Sequence, residues 1–336
     1  MLEERVAAYL RSKMPDAEGL MVSGLIRIPG GASRETWSFD ARWREKGREV
    51  QRGFIIRRDP EASVLETARD IEFHVYRALA ETSIPVPKVY WLEEEAEWLD
   101  RPFFVMERID GCETLPQPLI TEQYAPGRPK IAEHAVQILA DIHNLDWKAL
   151  GLDFLGVPGG PSDCGPREVA KWEETLRKDA LEPQPVLEAA LHWLKRHPPP
   201  LAQKITLVHA DYRTGNFLYS ADRIRGWLDW EMVHLGDPME DVAWFCIKPW
   251  RWARDERVGA LMERQEFYRL YEKYSGLRVD EEAVHFWEAL GNIKLAVIFI
   301  TGGRSFCDGR TKNIFIGFLG RNLAALEEEI IELISR

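Results

Sequence analysis

Leu207-Val-His-Ala-Asp211-Tyr-Arg-Thr-Gly-Asn216-Phe-Leu-Tyr219, followed by Gly226-Trp-Leu-Asp229-Trp-Glu231, is the stretch that decides how this chain folds. Four residues separate Asp211 from Asn216, and twelve separate Asn216 from Asp229. Gly215 helps to turn a tight loop that carries Asp211 and Asn216. Phe217 to Tyr219 then reads as a short strand, Ser220-Ala221-Asp222 as a turn, and Ile224 to Leu228 as the returning strand. Such a hairpin brings Asp229 back beside Asn216. Two carboxylates and a carboxamide in this arrangement are the groups that phosphoryl transfer needs. One carboxylate orients an attacking hydroxyl and accepts its proton. The amide oxygen and the second carboxylate hold a divalent ion against nucleotide phosphates. Hard oxygen donors in small number suit Mg²⁺, which keeps part of its water shell.

Outward from this centre, the two flanks differ in period. On the N-terminal side, Leu25 to Arg27 and Thr36 to Trp43 read as strands separated by Pro29, Gly30 and Gly31. A third strand, Gly53 to Arg57, stops at Asp59-Pro60. Ile71, Val75, Ala78 and Leu79 fall on one face of a helix, which Pro85 and Pro87 close. Pro102 to Met106 is a further strand, followed by a turn at Asp110-Gly111. Beyond it the chain becomes helical: Val136, Leu139 and His143 mark one helix, 168–180 and 186–196 two more, and the pattern after Asp237 is helical to the end. Strands first and helices later predict an α+β chain of two lobes with a cleft between them. The small lobe, 1–106, holds an antiparallel sheet plus a helix, and the larger, mostly helical lobe spans 107–336.

Bulk properties narrow the function. The 336 residues are 45% hydrophobic and 29% charged, an ordinary globular composition. A formal net charge of −11 argues against nucleic acid or an anionic membrane as a partner. The start, Met1 to Arg11, carries Glu3, Glu4 and Arg5 and has no long apolar run, so no signal peptide is expected. The apolar stretch Leu290 to Ile300, interrupted by Asn292 and Lys294, is expected to be too short to span a bilayer. Cys112, Cys164, Cys246 and Cys307 form no CxxC pair, so free thiols in a reducing cytoplasm are expected.

His209-Ala210-Asp211, Asn216 and Asp229-Trp230-Glu231 resemble the signature of the aminoglycoside phosphotransferase and choline kinase family. The likeness is strongest to the branch related to kinase-like domains of some acyl-CoA dehydrogenases. The resemblance implies a two-lobed protein-kinase-like fold and transfer of a γ-phosphate from ATP or GTP to a small-molecule hydroxyl with Mg²⁺. On that likeness Asp211 is the catalytic base, and Asn216 and Asp229 are the metal ligands. Leu235-Gly-Asp-Pro-Met-Glu-Asp241 also matches, and implies that Asp241 braces the catalytic loop through backbone hydrogen bonds. Pro29-Gly-Gly-Ala-Ser33 resembles the loop over the nucleotide phosphates, with Ser33 in contact with them. Arg57 stands where protein kinases hold a phosphate-binding lysine, and its fork suits bidentate contact with phosphate. Glu72 matches the helix glutamate that pairs with that cation. Glu107 and Ile109 fall in the hinge, whose backbone would bond the adenine. The resemblance covers about residues 20 to 245. Ala210 departs from it, since the family has glycine there; an alanine is costly if that position needs positive φ.

Other readings stand beside these. His209 reads as a structural histidine under the loop, because phosphoryl transfer gives it no proton to move. Arg304 and Arg310 fall in the Gly-rich run Thr301 to Arg310, read as a loop that either binds an anionic group or forms salt bridges. From Cys246 to Arg336, 14 basic residues balance 14 acidic ones. That balance disfavours a site for a polycation, so a hydroxyacyl thioester or hydroxy acid is the expected acceptor rather than an aminoglycoside. A catalytically silent nucleotide-binding module is the alternative, and Ala210 is its support. Oligomeric state is left open by the sequence.

Overall fold

The computed structural model describes residues 2–28, 34–59, 69–252 and 256–335. The chain opens with helix α1 (Leu2–Lys13), then three long strands, β1 (Glu18–Ile28), β2 (Glu35–Glu45) and β3 (Arg48–Arg58). Helix α2 (Arg69–Leu79) precedes β4 (Val89–Glu93) and β5 (Phe103–Glu107). The five strands form one antiparallel sheet in the order β1-β2-β3-β5-β4. Lys46 and Gly47, both at positive φ, make the two-residue turn between β2 and β3, the turn whose twist matches paired strands.

Alternation along the strands explains why two helices flank this sheet. Phe54 and Ile56 of β3, with Phe103 and Val105 of β5, face one side, where Val6, Tyr9 and Leu10 of α1 cover them. Ile55, Phe104 and Met106 face the other side, where Phe73, Tyr76 and Leu79 of α2 pack and join the core of the helical lobe. Helix α1 is an addition to the sequence reading. Its burying positions Val6, Tyr9 and Leu10 are spaced i, i+3, i+4, a signal present in the chain.

The second lobe begins with α3 (Pro116–Ile120), α4 (Arg128–Asn144), α5 (Cys164–Asp179) and α6 (Pro185–Arg196). A compact β insertion follows: β6 (Thr206–Val208), β7 (Phe217–Ser220), β8 (Arg223–Trp227) and β9 (His234–Gly236), paired as β6 with β9 and β7 with β8. The chain ends with α7 (Met239–Cys246), α8 (Arg264–Ser275), α9 (Glu281–Cys307), α10 (Ile314–Leu319) and α11 (Leu323–Ile334). The two-lobed α+β expectation therefore holds, and the β7–β8 hairpin lies where the sequence places it.

Helix α9 organises this lobe and packs against α5, α6, α7, α10 and α11. Asp280 caps it, its carboxylate accepting from the amides of Glu282 and Ala283 at 3.0 and 3.2 Å. Two expectations about this region are corrected. The run 290–300 lies inside a helix of 27 residues, long and apolar enough to cross a membrane by length and composition; 78% of its most apolar window is buried in the protein. Burial, not shortness, is what makes it a core helix here. Arg304 is also helical rather than on a loop, and both Arg304 and Arg310 are paired with Asp308, at 2.8 and 3.4 Å. The salt-bridge alternative is the one observed.

Candidate active site

The catalytic loop hangs from the end of β6 and is fastened by a single buried carboxylate. Asp241, in the first turn of α7, accepts the amides of His209 (2.7 Å, Oδ2) and Ala210 (2.8 Å, Oδ1). The bracing implied for Asp241 is thus present in the hydrogen bonds. Ala210 sits at φ +65°, so the strain feared at this position is real. The His209 ring takes the amide of Asp211 on Nδ1 (3.1 Å) and donates from Nε2 to the carbonyl of Leu228 (2.9 Å). A carbonyl can only accept, so the tautomer is settled with hydrogen on Nε2. Burial pushes its pKa down, keeping the ring neutral. His209 is a structural link between loop and hairpin, as expected.

Asp211 has two differently occupied oxygens. Oδ2 accepts from Nδ2 of Asn216 at 2.6 Å. Oδ1 accepts from Nε of Arg213 and from the indole nitrogen of Trp244, both at 2.9 Å. Arg213 in turn lies over the ring of Trp250, 4.6 Å from its centroid. Asn216 makes a second bond to the Asp211 carbonyl (3.0 Å), which ties the two side chains into one unit.

The hairpin delivers Asp229 to the same floor. Phe217 pairs with Trp227, and the Leu228 amide bonds the Asn216 carbonyl at 2.7 Å, so Asn216 and Asp229 lie at adjacent strand ends. Asp229 takes a left-handed conformation, φ +67°, and its amide is accepted by the hydroxyl of Tyr76 at 3.0 Å. Its carboxylate meets Arg57 from the other lobe, Nη2 to Oδ1 at 2.9 Å. Burial alone would raise the Asp229 pKa; Arg57, with Arg213 behind it, outweighs that and holds it below the usual carboxylate range.

The expected Arg57–Glu72 pair is present but shared. Arg57 Nη2 is 3.2 Å from Glu72 Oε1, a charge contact without hydrogen-bond geometry, while Glu72 Oε2 accepts from Nε of Arg34 at 2.9 Å. Arg34 also reaches Asp59 at 2.7 Å. A ladder of alternating charge, Arg34, Glu72, Arg57, Asp229, therefore crosses the cleft. Glu72 is fully buried, so removing either arginine would strand charge out of water, at a cost of about 3–5 kcal/mol.

Glu107 and Ile109, expected at the hinge, lie at the end of β5 and just beyond it. The Glu107 amide is already spent on the carbonyl of Lys88 (2.8 Å), so a nucleotide contact at Glu107 falls to its carbonyl. The Ile109 amide makes no backbone hydrogen bond among the described residues. Its side chain lies over Gly226, where an added Cβ would sit 2.9 Å from Ile109 Cδ1. Ser33 and the Gly30-Gly31 turn fall outside the described residues. The structure thus brings Arg57, Glu72, Asp211, Asn216 and Asp229 into one charged cluster, with Glu107 and Ile109 at the end of β5. It adds Arg213, two residues from its partner Asp211, and Arg34, Tyr76 and Trp244, whose roles depend on partners distant in sequence and leave no local signal.

A donor set of one carboxamide and one carboxylate, oxygen only, fits Mg²⁺. A guanidinium at Asp229 already supplies the kind of positive charge an ion would bring. Arg57 Nε is buried without a hydrogen-bond partner among the described residues, a donor that suits a phosphate oxygen.

The class of protein follows from this assembly together with its likeness to known chains. The profile of the phosphotransferase enzyme family matches residues 26–278, and the chain belongs to that family. Among curated proteins it is similar to mouse acyl-CoA dehydrogenase family member 10, with 32% identity over 243 residues. That match takes in 67% of this chain but 22% of the mouse protein, so the chain spans about a fifth of that relative. A Ralstonia eutropha protein described as a candidate aminoglycoside phosphotransferase has the same fold: TM-score 0.75, 24% identity, with 99% of this chain and 98% of that one covered. So has a thermostable mutant of the aminoglycoside phosphotransferase APH(4)-Ia, solved with AMP-PNP and hygromycin B: TM-score 0.60, 18% identity, 98% of each chain.

Proposed function

We propose that the chain is a Mg²⁺-dependent small-molecule kinase that uses ATP, with residues 1–106 as the nucleotide-binding lobe and 107–336 as the catalytic lobe. The observation that carries this is the Asp211–Asn216 unit beside Asp229 on one floor, with Arg57 reaching Asp229 from the other lobe. Asn216 and Asp229 would hold the ion, which when bound neutralises charge on the phosphates. Arg57, kept in place by Glu72, steadies the phosphate oxygens. The Glu107 carbonyl and the Ile109 amide face the base, and Ser33 belongs to the loop over the phosphates. Asp211 orients the acceptor hydroxyl. The hydroxyl oxygen of the acceptor forms a bond to the γ-phosphorus as the bond to the bridging oxygen breaks; the hydroxyl proton passes to Asp211 and the nucleoside diphosphate leaves.

The acceptor we favour is a hydroxyacyl thioester or a hydroxy acid rather than an aminoglycoside. Arg304 and Arg310 no longer support it, because Asp308 holds both. Support comes from Arg213, a cation beside Asp211, and from the acyl-CoA dehydrogenase name of the mouse relative. Four free cysteines suit a cytoplasmic setting. The test is a panel of hydroxyacyl thioesters, hydroxy acids, choline and amino sugars with Mg-ATP. Transfer to amino sugars alone refutes the acceptor; Asp211→Asn turning over normally refutes the base.

The left-handed Ala210 favours a second reading, a catalytically silent nucleotide-binding module. Mg²⁺-dependent ATP hydrolysis by the wild-type chain, lost in Asp211→Asn, separates the two.

A further inference from the structure

Lys294 lies in the middle of α9 and is 3% exposed, an ammonium on a largely buried helix. A buried charge is retained only where it is compensated. Three groups surround its Nζ: the carbonyl of Ala210, to which it donates; Glu240 Oε1, at 3.4 Å; and the face of Trp244, 4.4 Å from the centroid. The ring of Trp172 lies beyond, at 5.8 Å. The first and third contacts lead to the same place. Ala210 immediately precedes Asp211, and the edge of Trp244 donates its indole hydrogen to Asp211 Oδ1.

Behind Lys294 stands a closed charge cluster. His234 is 3.0 Å from Glu240 and 3.8 Å from Glu168, and Lys171 is 3.1 Å from Glu168. Glu168, His234 and Glu240 have ligand atoms within 4.8 Å of one another. The two ammonium groups already balance the two carboxylates, so the cluster does not require a metal; it anchors Lys294.

We propose that Lys294 is the positioning residue of the catalytic centre. It clamps the left-handed Ala210 peptide from the carbonyl side while Asp241 clamps it from the amide side. Through the ring face of Trp244 it also fixes the indole that aims the Asp211 carboxylate. The ammonium thus sets both the backbone and the side chain of Asp211 without touching substrate. This rests on Asp211 being the base of the reaction proposed above.

The experiment compares wild type, Lys294→Met and Trp244→Phe, which keeps an aromatic face but removes the five-membered ring of the indole with its N–H. Mg²⁺-dependent ATP hydrolysis gives kcat and KM, calorimetry gives ADP affinity, and hydrogen exchange reports on the peptide 207–216. A small displacement of a reacting group costs about 100-fold, the fall in kcat expected for Lys294→Met, with ADP affinity unchanged. Loss of one hydrogen bond to a charged group predicts about a tenfold fall for Trp244→Phe. The combined variant should fall by less than the product of the two, because both act through Asp211. Exchange at 207–216 should quicken in Lys294→Met. If Lys294→Met does not fold, Trp244→Phe decides by itself. Unchanged kcat in a folded variant, fully multiplicative losses, or equal loss of ADP binding would overturn the assignment. Absence of turnover in wild type overturns the kinase reading instead; hydrogen exchange then decides whether Lys294 positions the loop.

Discussion

Replacing Ala210 by glycine should leave stability nearly unchanged, although the family has glycine there and the alanine is strained. A non-glycine residue in the left-handed region costs about 1–2 kcal/mol, and Ala210 sits there at φ +65°. Ala210→Gly removes that cost. It also adds freedom to the unfolded chain, about 0.5–1 kcal/mol, and strips a methyl group that is 1% exposed, about 0.8 kcal/mol. The opposing effects cancel to within about 1 kcal/mol, a melting shift of about 2–4 °C at most. Backbone direction should survive as well, because the amide is held by Asp241 and the carbonyl by Lys294. Thermal and urea melts read the stability, and Mg²⁺-dependent ATP hydrolysis reads the function. Ala210→Val is the control, since a β-branched side chain in this closed left-handed site adds overpacking of about 1–3 kcal/mol to the strain. Stabilisation by Ala210→Gly of more than about 2 kcal/mol would refute the cancellation. It would mean that the two clamps hold the alanine against a larger strain than sterics predict.

Gly127→Ala should destabilise by about 1–3 kcal/mol, because the new Cβ would lie 1.9 Å from the carbonyl oxygen of Ala221 in the β7–β8 turn; a melt indistinguishable from wild type would contradict this packing. Asp229→Ala should abolish Mg-ATP binding by calorimetry, and retained affinity would remove Asp229 from the ion site. Asp241→Asn should cost about 1–3 kcal/mol, since an amide nitrogen must then face the buried N–H of His209 or of Ala210; urea melts measure it, and an unchanged midpoint counts against the brace. His234 should give a pH signature. Burial lowers its pKa, but Glu168 and Glu240 more than offset this and hold it above 6.5, with Lys171 opposing and Lys294 beside Glu240. A raised folded pKa contributes stability that is complete below the unfolded value and lost as pH climbs through the folded one. The advantage of wild type over His234→Gln should therefore shrink as the pH rises above about 6.5. A constant or growing difference would contradict the sign.

Much of the site could be read from the chain because its geometry is local. Asn216 and Asp229 flank one hairpin and Asp211 lies on the loop leading into it, so the turn residues and strand alternation are written in nearby positions. Asp241 could be placed only through the likeness of its motif, since the amides it braces lie 32 and 31 residues earlier. Arg34, Tyr76 and Trp244 could not, since each acts through a partner brought near by tertiary packing: Glu72 for Arg34, the Asp229 amide for Tyr76, Asp211 for Trp244. Arg304 and Arg310 show the opposite error. Glycines at 302, 303 and 309 suggested a loop, yet packing carried the helix through Gly302 and Gly303 to Cys307, because glycine costs only about 1 kcal/mol in a helix. The apolar run at 290–300 was cut short for a related reason. Asn292 and Lys294 look like interruptions until Asn292 is seen bonding Glu288 and Lys294 the Ala210 carbonyl.

The position of α9 after α5, α6 and α7 bears on the order of assembly. Strands β1 to β5 pair with one another and α1 covers one face of their sheet; the other face joins the core of the helical lobe. That lobe has its central helix supplied only after three of the helices it packs against. During translation α5, α6 and α7 emerge with their inner faces bare and wait for residues 281–307 before they can seal. The loop that carries Asp211 receives its Lys294 contact only with that helix, so the sealing of the lobe and the support of the loop arrive together.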